Sequence, residues 1–355
     1  MLAQACWTLR SLLGYLEAPA SRIAIMTFDK ALHFYSFHPG LDAARLVTVP
    51  DVDDPFVPCS PTALCVDAAD PAYSEQVQAL LDQLPSTCAE VAVEYAAGGA
   101  ALKAAVELVG SCGGGHVVMF HASLPNIGIG ALKHRDDLKM QLSSKQEVTG
   151  AEDGLFTPQQ PAFFESIVTD GLLKGVAVST VCAPALGAYI DMASLSVLPR
   201  RTGGDICYIP GFDPARDGEK LHYDISRLVV QPCVYSCVLK LRCSKGLQVE
   251  AMYGTWEPEV IDPSTFQVSR LSVDGTVNFS ITHAERIEGR KHVYTQIACL
   301  YTNRQGHRLI RIHTLQLPVT TALSNIFRYT EIEAVTNLLL KQAVSTVLSG
   351  NGDFK

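Results

Sequence analysis

Three features of the 355-residue chain predict a mixed fold, a doubly wound and mostly parallel α/β sheet followed by a β-sandwich and the opening of an α-helical domain. Strand-like and helix-like stretches alternate through the first two-thirds, and the strands are short and apolar, as in α/β sheets covered on both faces. After Asp213 the apolar period becomes two, and Gly246, Gly275, Gly289 and Gly306 punctuate a run of strands, the pattern of a sandwich or barrel. From residue 320 helical periodicity returns through Leu338, Leu339, Leu340, Val344 and Val347. The expected units are therefore 1–228, 229–318 and 319–355.

The elements follow in order. Leu2, Trp7, Leu9, Leu12, Leu13 and Leu16 share one side of a helix over 2–17 that ends before Pro19. This segment has no basic leader, carries Arg10, and is too short to span a bilayer. A strand over 22–27 pairs with 31–37 across Phe28-Asp29-Lys30, and 45–49 is a further short strand. A Pro-rich acidic loop (Asp51-Val-Asp-Asp-Pro55) comes next. Pro71 opens and Pro85 closes a helix over 71–84. Gly98-Gly99 introduces an alanine-rich helix over 100–109, and the triple glycine 113–115 precedes a buried strand over 116–120. A long polar loop, 123–159, separates these from helix 160–173, strand 175–181, helix 187–198 and strand 205–209. A helix over 216–228 then leads to six strands at 233–243, 247–254, 266–272, 276–282, 292–302 and 307–317, ended by Pro318. The last helical stretch stops before it can bury its apolar faces, so it reads as the start of an incomplete helical domain.

Composition limits the function. The chain is 48% hydrophobic and 18% charged, enough to fill ordinary cores. A net charge of −8 argues against nucleic acid as partner of the whole chain. The sandwich segment 229–318 nevertheless holds ten Lys/Arg against seven Asp/Glu. That balance suits a local anionic partner, a peptide carboxylate or a lipid head group. Eleven cysteines, irregularly spaced and partly inside apolar runs, read as free thiols of a reducing compartment. None has Cys-x-x-Cys spacing. Cys233, Cys237 and Cys243 fall on one strand face, but with Leu239 and Leu241 between them they read as core.

Catalytic patterns are missing from the sequence. Asp51, Asp53 and Asp54 depart from EF-hand spacing and read as a solvated loop. Gly98-Gly99, Gly113–Gly115 and Gly128-Ile-Gly130 lack the context of phosphate loops and read as tight turns. Ser111, Ser123 and Ser166 lack a nucleophile elbow, and the ten histidines contain no His-Glu-x-x-His; His313 lies in an apolar strand and reads as a structural residue. The expectation is a non-enzyme.

The most informative stretch is 237–253. Strand alternation turns Leu239, Leu241 and Cys243 to one face and Lys240 and Arg242 to the other. Ser244-Lys245-Gly246 supplies a turn, and Leu247, Val249, Ala251 and Tyr253 restore an apolar face on the return. The expectation is a β-hairpin with a small cationic face (Lys240, Arg242, Lys245) suited to a carboxylate-bearing peptide. Arg308 and Arg311, three apart on a later strand, point to opposite faces, one toward a site and the other toward a neighbouring domain.

Five segments, in order, resemble the cargo-adaptor subunit of the COPII vesicle coat: Ile25–Tyr35 (IMTFDKALHFY), Phe120–Asp136 (FHASLPNIGIGALKHRD), Arg201–Pro210 (RTGGDICYIP), Leu241–Leu247 (LRCSKGL) and Arg308–Pro318 (RLIRIHTLQLP). The Leu-Pro-Asn-Ile-Gly-Ile-Gly loop and the Tyr-Ile-Pro are similar to the adaptor rather than to its GTPase-activating sister subunit. The resemblance implies a von Willebrand A-like trunk over 1–228, a β-sandwich over 229–318 and the start of a helical domain. It implies docking on the sister subunit, capture of the cytosolic tails of membrane cargo through export signals, peripheral contact with an anionic membrane surface, and residence in the cytosol and on the cytoplasmic face of the endoplasmic reticulum and its vesicles. The family's basic pair falls on Lys240 and Arg242, with lysine where relatives carry arginine, which keeps the charge and loses the bidentate fork. Lys245, Arg308 and Arg311 complete the expected cargo-signal residues. The family's zinc finger and first trunk strand, which precede the Leu2 helix, have no counterpart here, so no cofactor is expected and one edge of the A-like sheet should stand uncovered. The competing expectation is a metal-dependent von Willebrand A-type adhesion module using the Asp51–Asp54 loop.

Overall fold

A computed structural model describes residues 1–16, 21–89, 95–135, 157–254, 259–287 and 289–348. Parts of the expected 123–159 loop, the end of the first helix and the last residues of the chain lie outside these. The α/β unit is built on three parallel strands, β6 (Gly115–His121), β7 (Val176–Cys182) and β8 (Ile206–Tyr208), in the order β6-β7-β8. Every residue of β7 is buried, which is why its sequence, Val-Ala-Val-Ser-Thr-Val-Cys, shows no polar face.

Helices cover both faces of this sheet. On one side pack α4 (Gly98–Ser111) and α5 (Pro161–Lys174). The alanines of α4 (100, 101, 104 and 105) are all buried and let the helix lie close to its neighbours. On the other side α1 (Leu2–Leu12) and α8 (Pro214–Val230) bury Ala5, Leu12, Leu221, Ile225 and Leu228 against Val181, Cys207 and Ile209. Asp213 caps α8, its Oδ1 accepting from the Ala215 amide at 2.9 Å, and Pro214 fits the first turn.

The N-terminal strands form the expected hairpin, in a sheet separate from the parallel one. β2 (Met26–Phe28), β3 (Leu32–Ser36) and β4 (Arg45–Val49) form an antiparallel sheet, and the single strand expected over 22–27 is split. Its first part, β1 (Arg22–Ile23), pairs instead with β5 (Val66–Asp67), just after the short helix α2 (Pro61–Leu64). Among the described residues β6 hydrogen-bonds only to β7, and β2 only to β3, so each keeps one edge without a strand partner. α3 runs from Pro71 to Ala89, through Pro85 rather than stopping before it. The expected helix 187–198 is two short ones, α6 (Met192–Leu195), capped by Asp191 Oδ1 on the Ser194 amide, and α7 (Val197–Thr202). All eleven cysteines are free thiols.

The sandwich has unequal layers. Five antiparallel strands run in the order β11 (Glu259–Asp262), β12 (Thr265–Ser272), β9 (Cys233–Cys243), β14 (His292–Thr302), β15 (Arg308–Pro318). Facing them is a two-stranded sheet of β10 (Leu247–Gly254) and β13 (Val277–His283). Cys237, Leu239, Phe266 and Val268 from the larger sheet meet Met252, Val277 and Phe279 from the smaller. The expected 237–253 hairpin is therefore corrected. The turn at Ser244–Gly246 forms, but β10 crosses to the opposite sheet instead of pairing with β9. The Ser244 amide donates to the Tyr294 carbonyl (2.9 Å) and the Tyr294 amide to Ser244 Oγ (2.8 Å), which extends the β9–β14 ladder and takes the place a returning strand would need. β9 keeps its apolar face toward the small sheet, but a bulge between Val249 and Ala251 breaks the alternation expected of β10: Met252 packs inward opposite Phe279, while Ala251 and Tyr253, expected on the apolar face, pair with Ser280 and Asn278 on the other face. Helices α9 (Leu323–Tyr329) and α10 (Ile332–Leu348) follow; α10 lies against the outside of the small sheet through Asn278–Asn337 and Lys341–Thr276 hydrogen bonds.

The two units meet at a buried ion pair. Arg270 of β12 is fully buried, and its Nη1 lies 3.0 Å from Asp205 Oδ2. Its Nη2 donates to the Leu228 carbonyl, and, with the Gln231 amide turned to satisfy both partners, to Gln231 (2.8 Å), whose nitrogen then donates to Asp274. Gly203, at φ +87°, makes this approach possible: a Cβ there would stand 2.0 Å from the Arg270 carbonyl oxygen. Arg304 reaches across the same seam to the carbonyls of Val229, Val230 and Gln231 at the end of α8.

Two outcomes follow from this packing. Replacing Arg270 by Met, which leaves the Asp205 carboxylate without its cation, lowers stability by about 3–5 kcal/mol in urea unfolding. His121 is buried at the end of β6 and burial holds its imidazole down at about 4. Its folded pKa lies below the ordinary value, so its contribution to stability is complete above about pH 6.5 and is lost as pH falls toward 4, by up to roughly 3 kcal/mol. The acid-induced drop in urea midpoint is smaller in His121→Gln than in the wild type.

Candidate functional site

Face and neighbours of β9 are set by its two ladders. Lys240 stands opposite Thr265 of β12 on one side and Ala298 of β14 on the other, and Ala298 stands opposite Ile312 of β15. In the next row Arg242 stands opposite Gln296, and Gln296 opposite Thr314. Val238, Leu300 and Ile310 form the row on the other side. Directly paired residues share a face, so all of these point away from the sandwich core. The outer face thus joins two cations to an exposed apolar border: Ile310 and Ile312 are 66% and 57% exposed. The small Ala298 separates Lys240 from Ile312.

Lys240 has an internal partner that sequence reasoning missed. Asp262 of β11 places Oδ2 3.7 Å from Lys240 Nζ, with both side chains roughly half exposed. Hydrogen bonds from the Ser264 hydroxyl and amide, with Lys240 alongside, hold the Asp262 carboxyl down at about 2. A contact this long and exposed is worth little, and an incoming carboxylate can take over the ammonium. β11 has four residues between Pro258 and Pro263, too short for alternation to reveal. Arg242 is exposed, and beside it Gln296 Nε2 donates to Thr314 Oγ1 (3.1 Å).

The other expected cations are distributed. Lys245 is exposed on the turn beyond Arg242, its carbonyl accepting from Arg290 Nη1 at 3.1 Å. Arg308 and Arg311 do lie on opposite faces: Arg308 pairs with Thr302, on the outer face, and Arg311 with Cys299, whose side belongs to the inner cluster. Arg308 serves a structural purpose. Ser236 has φ +48° and forms a bulge in β9, and Arg308 Nη1 donates to its carbonyl (2.6 Å) and to Thr302 Oγ1 (3.0 Å). The bulge abuts the α/β unit, where a Cβ on Gly175 would touch Ser236 Oγ. Lys240 is two strands and four residues away from Arg308, roughly 16 Å between Cα atoms. The structure therefore unites Lys240 and Arg242, sets Lys245 next to them, and keeps Arg308 and Arg311 apart.

The remaining motifs have structural roles. Asp51 Oδ1 accepts from the amides of Asp53 and Asp54 (3.1 and 3.0 Å), an Asx turn. Among the described residues no three His, Cys, Asp or Glu side chains gather as metal ligands. Gly98-Gly99 begins α4 under the Leu-Pro-Asn-Ile-Gly-Ile-Gly loop, and a Cβ on Gly99 would meet the Ile129 carbonyl. Asn126 ties that loop down by exchanging hydrogen bonds with Ala96. No described helix is long and apolar enough to cross a membrane.

Comparison with known proteins matches this architecture. The family model described as the Sec23/Sec24 trunk domain covers residues 1–229, and that described as the Sec23/Sec24 beta-sandwich domain covers 234–320. Protein transport protein SEC24 B of Arabidopsis thaliana is 31% identical over 356 residues, 98% of this chain and 31% of its own length. Sec24A of Mus musculus is 30% identical over 328 residues, 91% of this chain and 28% of its own. The crystal structure of the human COPII-coat protein Sec24c superposes with a TM-score of 0.86 at 29% identity, covering 98% of this chain and 45% of that one. A von Willebrand factor type A protein from Catenulispora acidiphila shares the fold alone, with a TM-score of 0.51 at 11% identity, covering 91% of this chain and 63% of that one. The chain spans under a third of the length of these two curated relatives, and it belongs to the Sec23/Sec24 family.

Proposed function

We propose that the chain acts as a non-enzymatic COPII coat subunit that selects membrane cargo by binding acidic export signals in cytosolic tails, and that its α/β unit docks on the paired GTPase-activating subunit. The observation that carries the reading is the outer face of β9, where Lys240 and Arg242 sit beside exposed Ile310 and Ile312. A short peptide with a carboxylate next to an apolar residue matches that arrangement. Its carboxylate takes charge-assisted hydrogen bonds from the two cations while its apolar side chain covers the isoleucines. Lys245 extends the positive rim. Arg308 supports the strand from behind the bulge, and Arg311 faces away. The same reading places the protein in the cytosol and on the cytoplasmic face of the endoplasmic reticulum, with peripheral contact to an anionic membrane surface.

Calorimetric titration of a di-acidic cytosolic-tail peptide into wild type and a Lys240→Ala/Arg242→Ala variant tests it. The variant binds at least about 10-fold more weakly, and wild-type binding weakens as salt rises. Arg311→Ala binds as wild type. Equal affinity for wild type and the double variant removes Lys240 and Arg242 from the site.

A further inference from the structure

We propose that Cys65 and Cys112 form a dithiol site in the α/β unit that closes to a disulfide on meeting a small-molecule disulfide. The two residues are 47 apart in sequence, yet Cys112 Sγ lies 3.0 Å from Cys65 Sγ. Cys65 follows α2 and leads into β5; Cys112 ends α4. The thiols thus join two segments that the backbone does not connect directly.

A disulfide bond is about 2.05 Å long, so closure asks the sulfurs to approach by roughly 1 Å. The chain around Cys112 permits this. Its amide is shared between the carbonyls of Leu108 and Val109 at the end of the helix, and a triple glycine follows. Gly113, next in the chain, has φ +97° and open space around the position of a Cβ. A small shift of Cys112 therefore meets little resistance, while Cys65 stays anchored in the core cluster with Leu64, Leu108 and Val106.

The two thiols differ in exposure, so Cys112 meets the small disulfide first and Cys65 resolves the mixed disulfide. Cys112 is half-buried and reachable from solvent; Cys65 is buried. Burial, reinforced by the contact with Cys112, pushes the Cys65 thiol up to about 12, so it remains protonated at neutral pH. Cys112, as thiolate, attacks one sulfur of the small disulfide, breaks its S–S bond and expels one thiolate, giving a mixed disulfide. The Cys65 sulfur then attacks Cys112 Sγ, forming the Cys65–Cys112 bond and expelling the second thiolate, which takes up the Cys65 proton. Two protein thiols are oxidised by two electrons, and one small disulfide is reduced to two thiols.

The test uses the full chain and millimolar glutathione disulfide as the probe. After alkylation of remaining thiols, peptide mapping of the wild type recovers a Cys65–Cys112 cross-linked pair, two hydrogens lighter than the sum of its peptides. The Tm rises by roughly 5 °C or more, because the cross-link closes a long loop in the unfolded chain. Dithiothreitol reverses the rise, and Cys112→Ser does not show it. Recovery of Cys112 as a stable mixed disulfide with glutathione, or of both thiols unmodified, overturns the proposal. The mapping is read on wild type, so it stands even where the serine variant folds poorly.

Discussion

A guanidinium removed from water must have its charge and its N–H groups answered, and Arg270 sets the arrangement of the molecule on that account. It rises from the sandwich, yet Asp205, the Leu228 carbonyl and Gln231 all belong to the α/β side or to the link after α8. No rotation of the sandwich about the seam would keep all three. Gly203 lets the β12 backbone come close enough, and Ser269 and Gln267 add hydrogen bonds to the Gly171 and Leu172 carbonyls. The seam is thus polar and directional, and it fixes orientation more sharply than an apolar contact of similar size.

That orientation determines where the cationic face emerges. β9 lies next to β12, so anchoring β12 anchors β9. The Ser236 bulge rests against Gly175 at the near end, held by Arg308. Beyond it the strand runs outward with Lys240 and Arg242 on the solvent side. β14 and β15 then bring the isoleucines alongside. A rigid strand holding two cations at fixed spacing spends little entropy on binding, which suits recognition of short, disordered tails. Asp262 keeps Lys240 in place in the free protein with a contact weak enough to yield to a ligand.

The unequal layers of the sandwich leave apolar surface outside the core. The small sheet covers β9 and β12 but not β15, whose Leu309, Leu315 and Leu317 remain exposed. Phe327, Ile332, Leu340 and other apolar residues of α9 and α10 are exposed as well. Of these two helices, α10 packs against β10 and β13.

Local pattern made much of this legible. The period-two runs located the strands of the sandwich, alternation put Lys240 and Arg242 on one face and separated Arg308 from Arg311, and five ordered motifs carried the family. What the pattern did not carry was partner choice. The 244–246 turn is written in Ser-Lys-Gly, yet the strands it joins belong to different sheets, because Tyr294 claims the edge that β10 would have used. Nothing in the residue type of Ser236 announces a left-handed bulge, so the engagement of Arg308 there was hidden. Asp262 was hidden by the shortness of its strand, and Cys65 and Cys112 by their separation of 47 positions in the chain. The sequence by itself determined the faces along regular strand stretches such as Leu239–Cys243 and which family the chain resembles, since both depend on near neighbours and on residue identity; the bulges at Ser236 and between Val249 and Ala251 lay beyond it. Only the tertiary structure decided which faces meet, because strand order and register are settled by contacts between segments distant in the chain.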